Sequence, residues 1–160
     1  MRANSQSNVK FAADVMLGTL AKWLRILGFD TFYSNNIDDN QLLEVAWREK
    51  RILLSRDHQL VNGVNPKQAL LIESKKMPQQ LQQVVTAFHL NHFVALFSRC
   101  VDCNVQVVPI EKAAIKDKVP AFVYQNYQEF WICPKCGQIF WPGTHKTHAE
   151  KWLAENKILF

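Results

Sequence analysis

Two Cys-x-x-Cys pairs, Cys100/Cys103 and Cys133/Cys136, constrain this chain more than anything else in it. Thiolates with two residues between them can occupy one edge of a tetrahedron when the intervening backbone turns tightly. A second such pair, carried by a distant hairpin, completes a closed site of four sulfurs. With residues 104–132 between the pairs, the spacing is that of a zinc ribbon. A closed site is structural, because it leaves no coordination position for a substrate. A thioredoxin-like redox role would place the motif at the head of a helix in a βαβ unit, whereas Cys133-Pro134-Lys135-Cys136-Gly137 reads as a knuckle turn. Disulfides, the third possibility, call for a secreted chain.

The metal would fix the last third of the chain, so the preceding residues must build the ordinary hydrophobic core. A chain of 160 residues accommodates one full domain and a small appendage. The sequence is 48% apolar, and its longest apolar run falls well short of the roughly twenty residues of a membrane span. No membrane association is expected. Met1 to Lys10 lack the apolar stretch of a signal peptide, so the expected compartment is a reducing cytoplasm in which thiols stay available to zinc. A net charge of +5 and a pI near 9.1 favour anionic partners, nucleic acid among them.

Periodicity divides the chain. Val9 to Ala13 is a short apolar strand ending in Asp14, followed by Leu17, Leu20, Ala21, Leu24 and Leu27 at helical spacing up to Gly28. Phe29 to Tyr33 reads as a second strand. Asn35-Asn36 then turns the chain, and Asp38 or Asp39 caps a helix with Leu42, Leu43, Ala46 and Trp47 facing inward. Arg51 to Ser55 is a third strand with Asp57 just beyond it. A helical turn around Leu60, a fourth strand at Ala69 to Ile72 and a helix opening at Pro78, with Leu81, Val84, Val85 and Phe88 inside, complete the pattern. Strands alternating with helices predict a parallel sheet with right-handed crossovers. From about Asn91 the pattern becomes short apolar stretches broken by prolines and the cysteines. The expected division is a core over residues 1–92 and a ribbon with a C-terminal helix, residues 93–160, packed against it.

In a parallel sheet, ligands bind beyond the carboxyl ends of the strands. Asp14 ends the first strand, Asp57 follows the third, and Asp38 and Asp39 lie beyond the second, so these acids are expected to converge. Clustered carboxylates repel unless a divalent cation lies among them, and hard oxygen ligands select Mg²⁺ or Mn²⁺. Such a cation can activate water and neutralise charge on a phosphodiester. Each acid also has a plainer role as a helix cap or turn residue. Lys22, Arg25 and Arg56 are candidate phosphate contacts, with solvated surface charge as the competing account, and Ser55 would present a hydroxyl beside Asp57. Trp131, Phe140 and Trp141 are expected in the core of the ribbon rather than stacked on bases. His89/His92 and His145/His148 have metal-binding spacing, but four cysteines already satisfy zinc.

Several segments together carry a resemblance: Phe11-Ala12-Ala13-Asp14 running on to Gly28-Phe29-Asp30, Arg51-Ile52-Leu53-Leu54-Ser55-Arg56-Asp57, Arg99-Cys100 to Asn104, and Cys133-Pro134-Lys135-Cys136-Gly137 with Trp141-Pro142-Gly143-Thr144-His145. In this order they resemble the Mut7-C RNase domain family over nearly the whole chain. The resemblance implies a PIN-like α/β/α three-layer domain with a central parallel sheet and a C-terminal zinc ribbon of four cysteines. It also implies metal-dependent cleavage of RNA. Asp14 matches the acid after the first strand and Asp57 that of the Thr/Ser-Arg-Asp motif. The middle acid falls to Asp38 or Asp39, because Asn40 and Gln41 stand where the family's acidic stretch commonly continues. The resemblance to PIN-like sites also implies a fourth carboxylate, for which Glu73, at the end of the fourth strand, is the candidate. The expected cofactors are structural Zn²⁺ and catalytic Mg²⁺ or Mn²⁺. The alternatives are a non-catalytic nucleic-acid or ribosome-associated binding module, and a protein-interaction module docking through the ribbon.

Overall fold

The computed structural model describes residues 8–159. Strands β1 (Phe11–Ala13), β2 (Thr31–Tyr33), β3 (Ile52–Ser55) and β4 (Ala69–Leu71) form one parallel sheet in the order β2-β1-β3-β4. The two central strands are covered on both faces, so they read as unbroken apolar runs instead of alternating. Phe11, Ala12, Ala13, Leu53 and Leu54 are all without solvent exposure. Phe11, Ala13 and Leu54 face one core, Ala12 and Leu53 the other.

Helix α1 (Gly18–Ile26) buries Leu20, Ala21 and Leu24 on the first face, where α4 (Met77–Ala87) adds Leu81, Val84 and Val85. Pro78 lies in the first turn of α4, where its missing N–H has no intrahelical partner to lose. Phe88, just past the end of α4, packs edge-on against Phe11 with ring centroids 5.4 Å apart. The opposite face is covered by α2 (Asp39–Arg48) through Leu42 and Ala46, and by the short α3 (His58–Asn62) through Leu60. The result is a mixed α/β fold with a central four-stranded parallel sheet flanked by helices.

Trp47 departs from the expectation that it faces inward, since it is 81% exposed. Leu42 and Ala46, four residues apart, define the buried stripe of α2. A step of about 100° per residue carries position 47 well off that stripe.

Beyond the sheet, β5 (Val108–Ile110), β6 (Phe130–Ile132) and β7 (Ile139–Phe140) form a small antiparallel sheet in the order β5-β6-β7. Pro109 is tolerated because β5 is an edge strand. Ile115, Val123 of α5 (Ala121–Asn126) and Phe130 form the core here, with Trp141 packed against it. Trp131 and Phe140 are cross-strand partners and half-buried. The last helix, α6 (Thr144–Glu155), returns to the first core: Leu153, Ile158 and Leu159 are buried there, and Trp152 stacks on Trp23 of α1 at 4.1 Å. Among the described residues, no helix is long and apolar enough to cross a membrane.

Candidate functional site

The connection leaving β1 runs to β2 on one side, while that leaving β3 runs to β4 on the other, so the chain reverses direction between β1 and β3. A crevice opens at the carboxyl ends of two such strands. Asp14 follows β1 there and is 4% exposed. Its Oδ1 accepts the Val15 N–H at 2.7 Å, which caps the 3₁₀ turn Val15–Leu17, and its Oδ2 accepts the Ser55 hydroxyl at 2.6 Å. Ser55 ends β3 with no exposure, and its oxygen accepts the Asp57 N–H at 3.0 Å. A continuous hydrogen-bonded chain, Asp14–Ser55–Asp57, thus bridges the reversal point.

The acids do serve as caps. Asp57 Oδ1 accepts the N–H groups of Gln59 and Leu60 at the head of α3. Asp38 caps α2 in a reciprocal box with Gln41, which leaves exposed Asp39 as the first helical residue. Capping uses some oxygen lone pairs and leaves others, so it does not preclude a second role. Among the described residues, however, no three carboxylates share the spacing that the four cysteines do. Asp38, Asp39 and exposed Glu73 do not join Asp14 and Asp57 in one compact group.

Asp14 has a further property that its sequence position does not reveal. Ion pairs among the described residues engage Asp30, Glu44, Glu49 and Glu155, and none engages Asp14. A buried carboxylate is ordinarily paired with a cation or bound to a metal, because its desolvation costs several kcal/mol otherwise (about that order). Mg²⁺ needs only one or two carboxylates when waters and substrate phosphates complete its shell, so the donor set of Asp14 and Asp57 fits that ion. Nearby, Arg56 Nε is buried without an acceptor among the described residues.

Arg25 is placed differently from the expectation. Helix α1 runs back from the carboxyl edge, which carries Arg25 to the amino edge of the sheet. There it is 8% exposed. Its Nε donates to Thr31 O at 2.9 Å and its Nη1 to Val101 O at 2.7 Å. The guanidinium is thus a bolt between β2 and the first cysteine turn, away from the acids. Burial lowers its pKa from the ordinary value, with Asp102 and Asp30 opposing that. Lys22 is exposed on α1.

The four cysteines converge, with their ligand atoms all within 4.8 Å of one another. Cys100 Sγ and Cys136 Sγ are 3.9 Å apart. A tetrahedron with Zn–S bonds of about 2.3 Å has edges of about 3.8 Å, so the cluster fits a zinc ion. The two turns share one backbone pattern. Asn104 N–H donates to Cys100 O and Gly137 N–H to Cys133 O, each at 2.9 Å, and Cys100 and Cys133 donate their own N–H groups to Val105 O and Gln138 O. Both closing residues are left-handed, Asn104 at φ 59° and Gly137 at φ 76°, a region that favours glycine and tolerates asparagine. Burial and the neighbouring thiols push Cys103 up to about 12. At Cys133 burial acts in the same direction, but N–H groups of Cys136 and Lys135 more than offset it and bring the thiol down to about 7. A cation among the sulfurs would favour the thiolate form that zinc ligation requires. His89, His92, His145 and His148 are exposed and stand outside the cluster.

A polar joint that sequence reasoning missed connects this centre to the sheet. Asn104 Nδ2 donates to Asp30 Oδ1 at 2.7 Å, and Asn104 Oδ1 accepts the N–H of fully buried Thr31 at 3.0 Å. Asp30 also takes Arg51 Nη1 at 2.6 Å. Burial alone would raise the Asp30 pKa, yet the hydrogen bonds from Arg51 and Asn104 prevail and hold it below the ordinary carboxylate range. The segment leading to Cys100 closes α1 as well: Ala95 and Phe97 N–H groups donate to Leu27 O and Ile26 O. Gly28 (φ 98°) sits beneath it, where a Cβ would lie 2.7 Å from Ala95 O. One signal was available in the sequence, since Asn104 and Gly137 hold equivalent places after the two cysteine pairs.

A parallel α/β sheet domain with a buried acid at the reversal of its strand order is thus tied to a cluster of four cysteines that could hold a zinc ion. The family model described as "Mut7-C RNAse domain" matches residues 9–153, and the chain belongs to that family. No curated protein and no solved structure matches it.

Proposed function

We propose that the protein is a PIN-like ribonuclease that hydrolyses RNA phosphodiester bonds, with Mg²⁺ or Mn²⁺ held by Asp14 and Asp57 and with Zn²⁺ at the cysteines. Membership of an RNAse domain family supports the reaction class. The observation that carries the site is Asp14: a buried carboxylate, without a basic partner among the described residues, at the carboxyl end of β1 where the strand order reverses. A bound divalent cation supplies electrostatic stabilisation of the phosphodiester and lowers the pKa of water there. Ser55 orients the Asp14 carboxylate through its hydroxyl. Asp57, fixed at the head of α3, supplies the second hard oxygen. Arg56 offers its unpartnered Nε–H to a phosphate oxygen, which would satisfy a buried donor that otherwise costs about 1–3 kcal/mol. Asp38 and Asp39 remain the candidates for a third acid, and Lys22 steers the backbone through charge. A reducing cytoplasm would keep the four thiols available to zinc.

The test is cleavage of single-stranded RNA by purified protein with Mn²⁺, compared with Asp14→Asn and Asp57→Asn variants. Loss of cleavage in both variants is expected; equal activity in all three would identify a contaminant and end the proposal. A second reading is favoured by the separation of Asp38, Asp39 and Glu73 from the Asp14–Asp57 pair: a nucleic-acid or ribosome-associated binding module with residual acids. It predicts RNA binding without turnover.

A further inference from the structure

Five large apolar side chains are exposed among the described residues, and two of them, Val15 (37%) and Met16 (58%), are neighbours in the turn that directly follows Asp14. The others, Trp47, Val108 and Phe122, stand singly on α2, β5 and α5. Isolated exposures of that kind are ordinary on any surface. The turn beside Asp14 is unusual because its backbone is held from several sides. Asp14 accepts the Val15 N–H, and the Tyr33 hydroxyl donates to Val15 O at 2.8 Å. Leu17 is anchored in the core at 1% exposure. Gly18 lies so close beneath Tyr33 that a Cβ there would be 2.7 Å from its hydroxyl oxygen. A pre-organised backbone thus holds two apolar side chains in water directly beside Asp14.

We infer that Val15 and Met16 form a shelf for one unpaired nucleobase of the RNA whose phosphate lies at Asp14 and Asp57; this rests on the nuclease reading above. A nucleobase is the occupant because it is the apolar, flat part of a ligand whose charged part belongs next door, and because the net charge of +5 favours that polyanion. The methionine thioether packs against any aromatic ring without a directional hydrogen bond, so the shelf accepts all four bases. A duplex keeps its base faces stacked and gives such a surface nothing to touch. The shelf therefore selects a strand with a base free to leave its stack.

An uncharged contact strengthens binding without releasing counterions, which separates it from the lysines and arginines nearby. The test is fluorescence anisotropy with a short labelled single-stranded RNA on the Asp57→Asn protein, whose asparagine still caps α3 and whose RNA stays uncut. Met16→Ala in that background is expected to bind about two- to tenfold more weakly, with an unchanged salt slope. Met16→Leu should bind like the parent, and duplex RNA should not distinguish the three. A single abasic nucleotide placed at the crevice should reproduce the loss, and Met16→Ala should then add nothing. Equal affinity of Met16→Ala and parent for single-stranded RNA, or an equal loss on duplex, would overturn the shelf. Because binding is read without cleavage, those results leave the nuclease reading standing. A Met16 effect in a protein whose native form never cleaves would overturn that reading alone.

Discussion

Replacing Ser55 by alanine removes one oxygen from a fully buried position and tests the link on which the proposed site depends. The hydroxyl donates to Asp14 Oδ2 at 2.6 Å and accepts the Asp57 N–H at 3.0 Å. A hydrogen bond to a charged group contributes about 1.5–3 kcal/mol, and the backbone N–H at the crevice contributes about 0.5–1 because water can replace its partner. Ser55→Ala should therefore cost about 2–4 kcal/mol. For a domain of this size each kcal/mol lowers Tm by about 2–4 °C, so a fall of about 4–16 °C is expected in thermal melts. Asp14 would also lose the group that fixes its orientation. Removal of a partner that orients a ligating carboxylate typically weakens metal affinity or activity about 10–100-fold. A Mn²⁺ titration of RNA cleavage should show the half-saturating concentration rising by that factor. In an Asp14→Ala background the same serine substitution should cost far less, because the interaction has already gone. A stability change under about 0.5 kcal/mol together with an unmoved Mn²⁺ requirement would refute the claim that Ser55 orients Asp14.

The joint between the four-cysteine cluster and the sheet gives three further expectations. Asn104→Ala removes a charge-assisted bond to Asp30, orphans the buried Thr31 N–H and strains a left-handed backbone, for a loss of about 3–6 kcal/mol in urea unfolding; Asn104→Gly should recover only the backbone share of about 1 kcal/mol. Equal stability of the two variants with the parent would show the joint to be idle. The depressed Asp30 pKa predicts stability that is fully present above the ordinary carboxylate pKa, about 3.9, and is lost as pH falls through the lower folded value; Asp30→Asn should flatten the unfolding profile in that acid range. A strong chelator should release one zinc per chain, expose Cys100 and Cys133 to thiol reagents and lower the single melting transition of the whole chain, since Asn104 and Arg25 tie the first cysteine turn to β2. Thiols that react fully before chelation would argue against a bound metal.

The local features declared themselves in order along the chain. Apolar runs such as Phe11 to Ala13 and Ile52 to Leu54 are short, bounded by polar residues and buried on both faces, as central strands of a parallel sheet are, and the spacing of Leu20, Leu24 and Leu81, Val84, Val85 marks helices because 3.6 residues per turn returns them to one face. The cysteine spacing marked two turns able to present paired thiols, since geometry within four residues is nearly independent of the remainder of the fold. Matters of distance between segments were not legible in that way. Whether Trp47 falls on or off the buried stripe depends on where the sheet lies against α2. Whether Arg25 meets phosphates or carbonyls depends on the direction of α1, which takes its side chain to the edge opposite Asp14. The Asp14–Ser55 bond joins residues 41 positions apart and the Asn104–Asp30 bond residues 74 apart. Side-chain identity specifies what each group can donate or accept; only packing of the two cores decides which of them come within reach, and so which carboxylate is buried without a counter-ion and which is held by arginine.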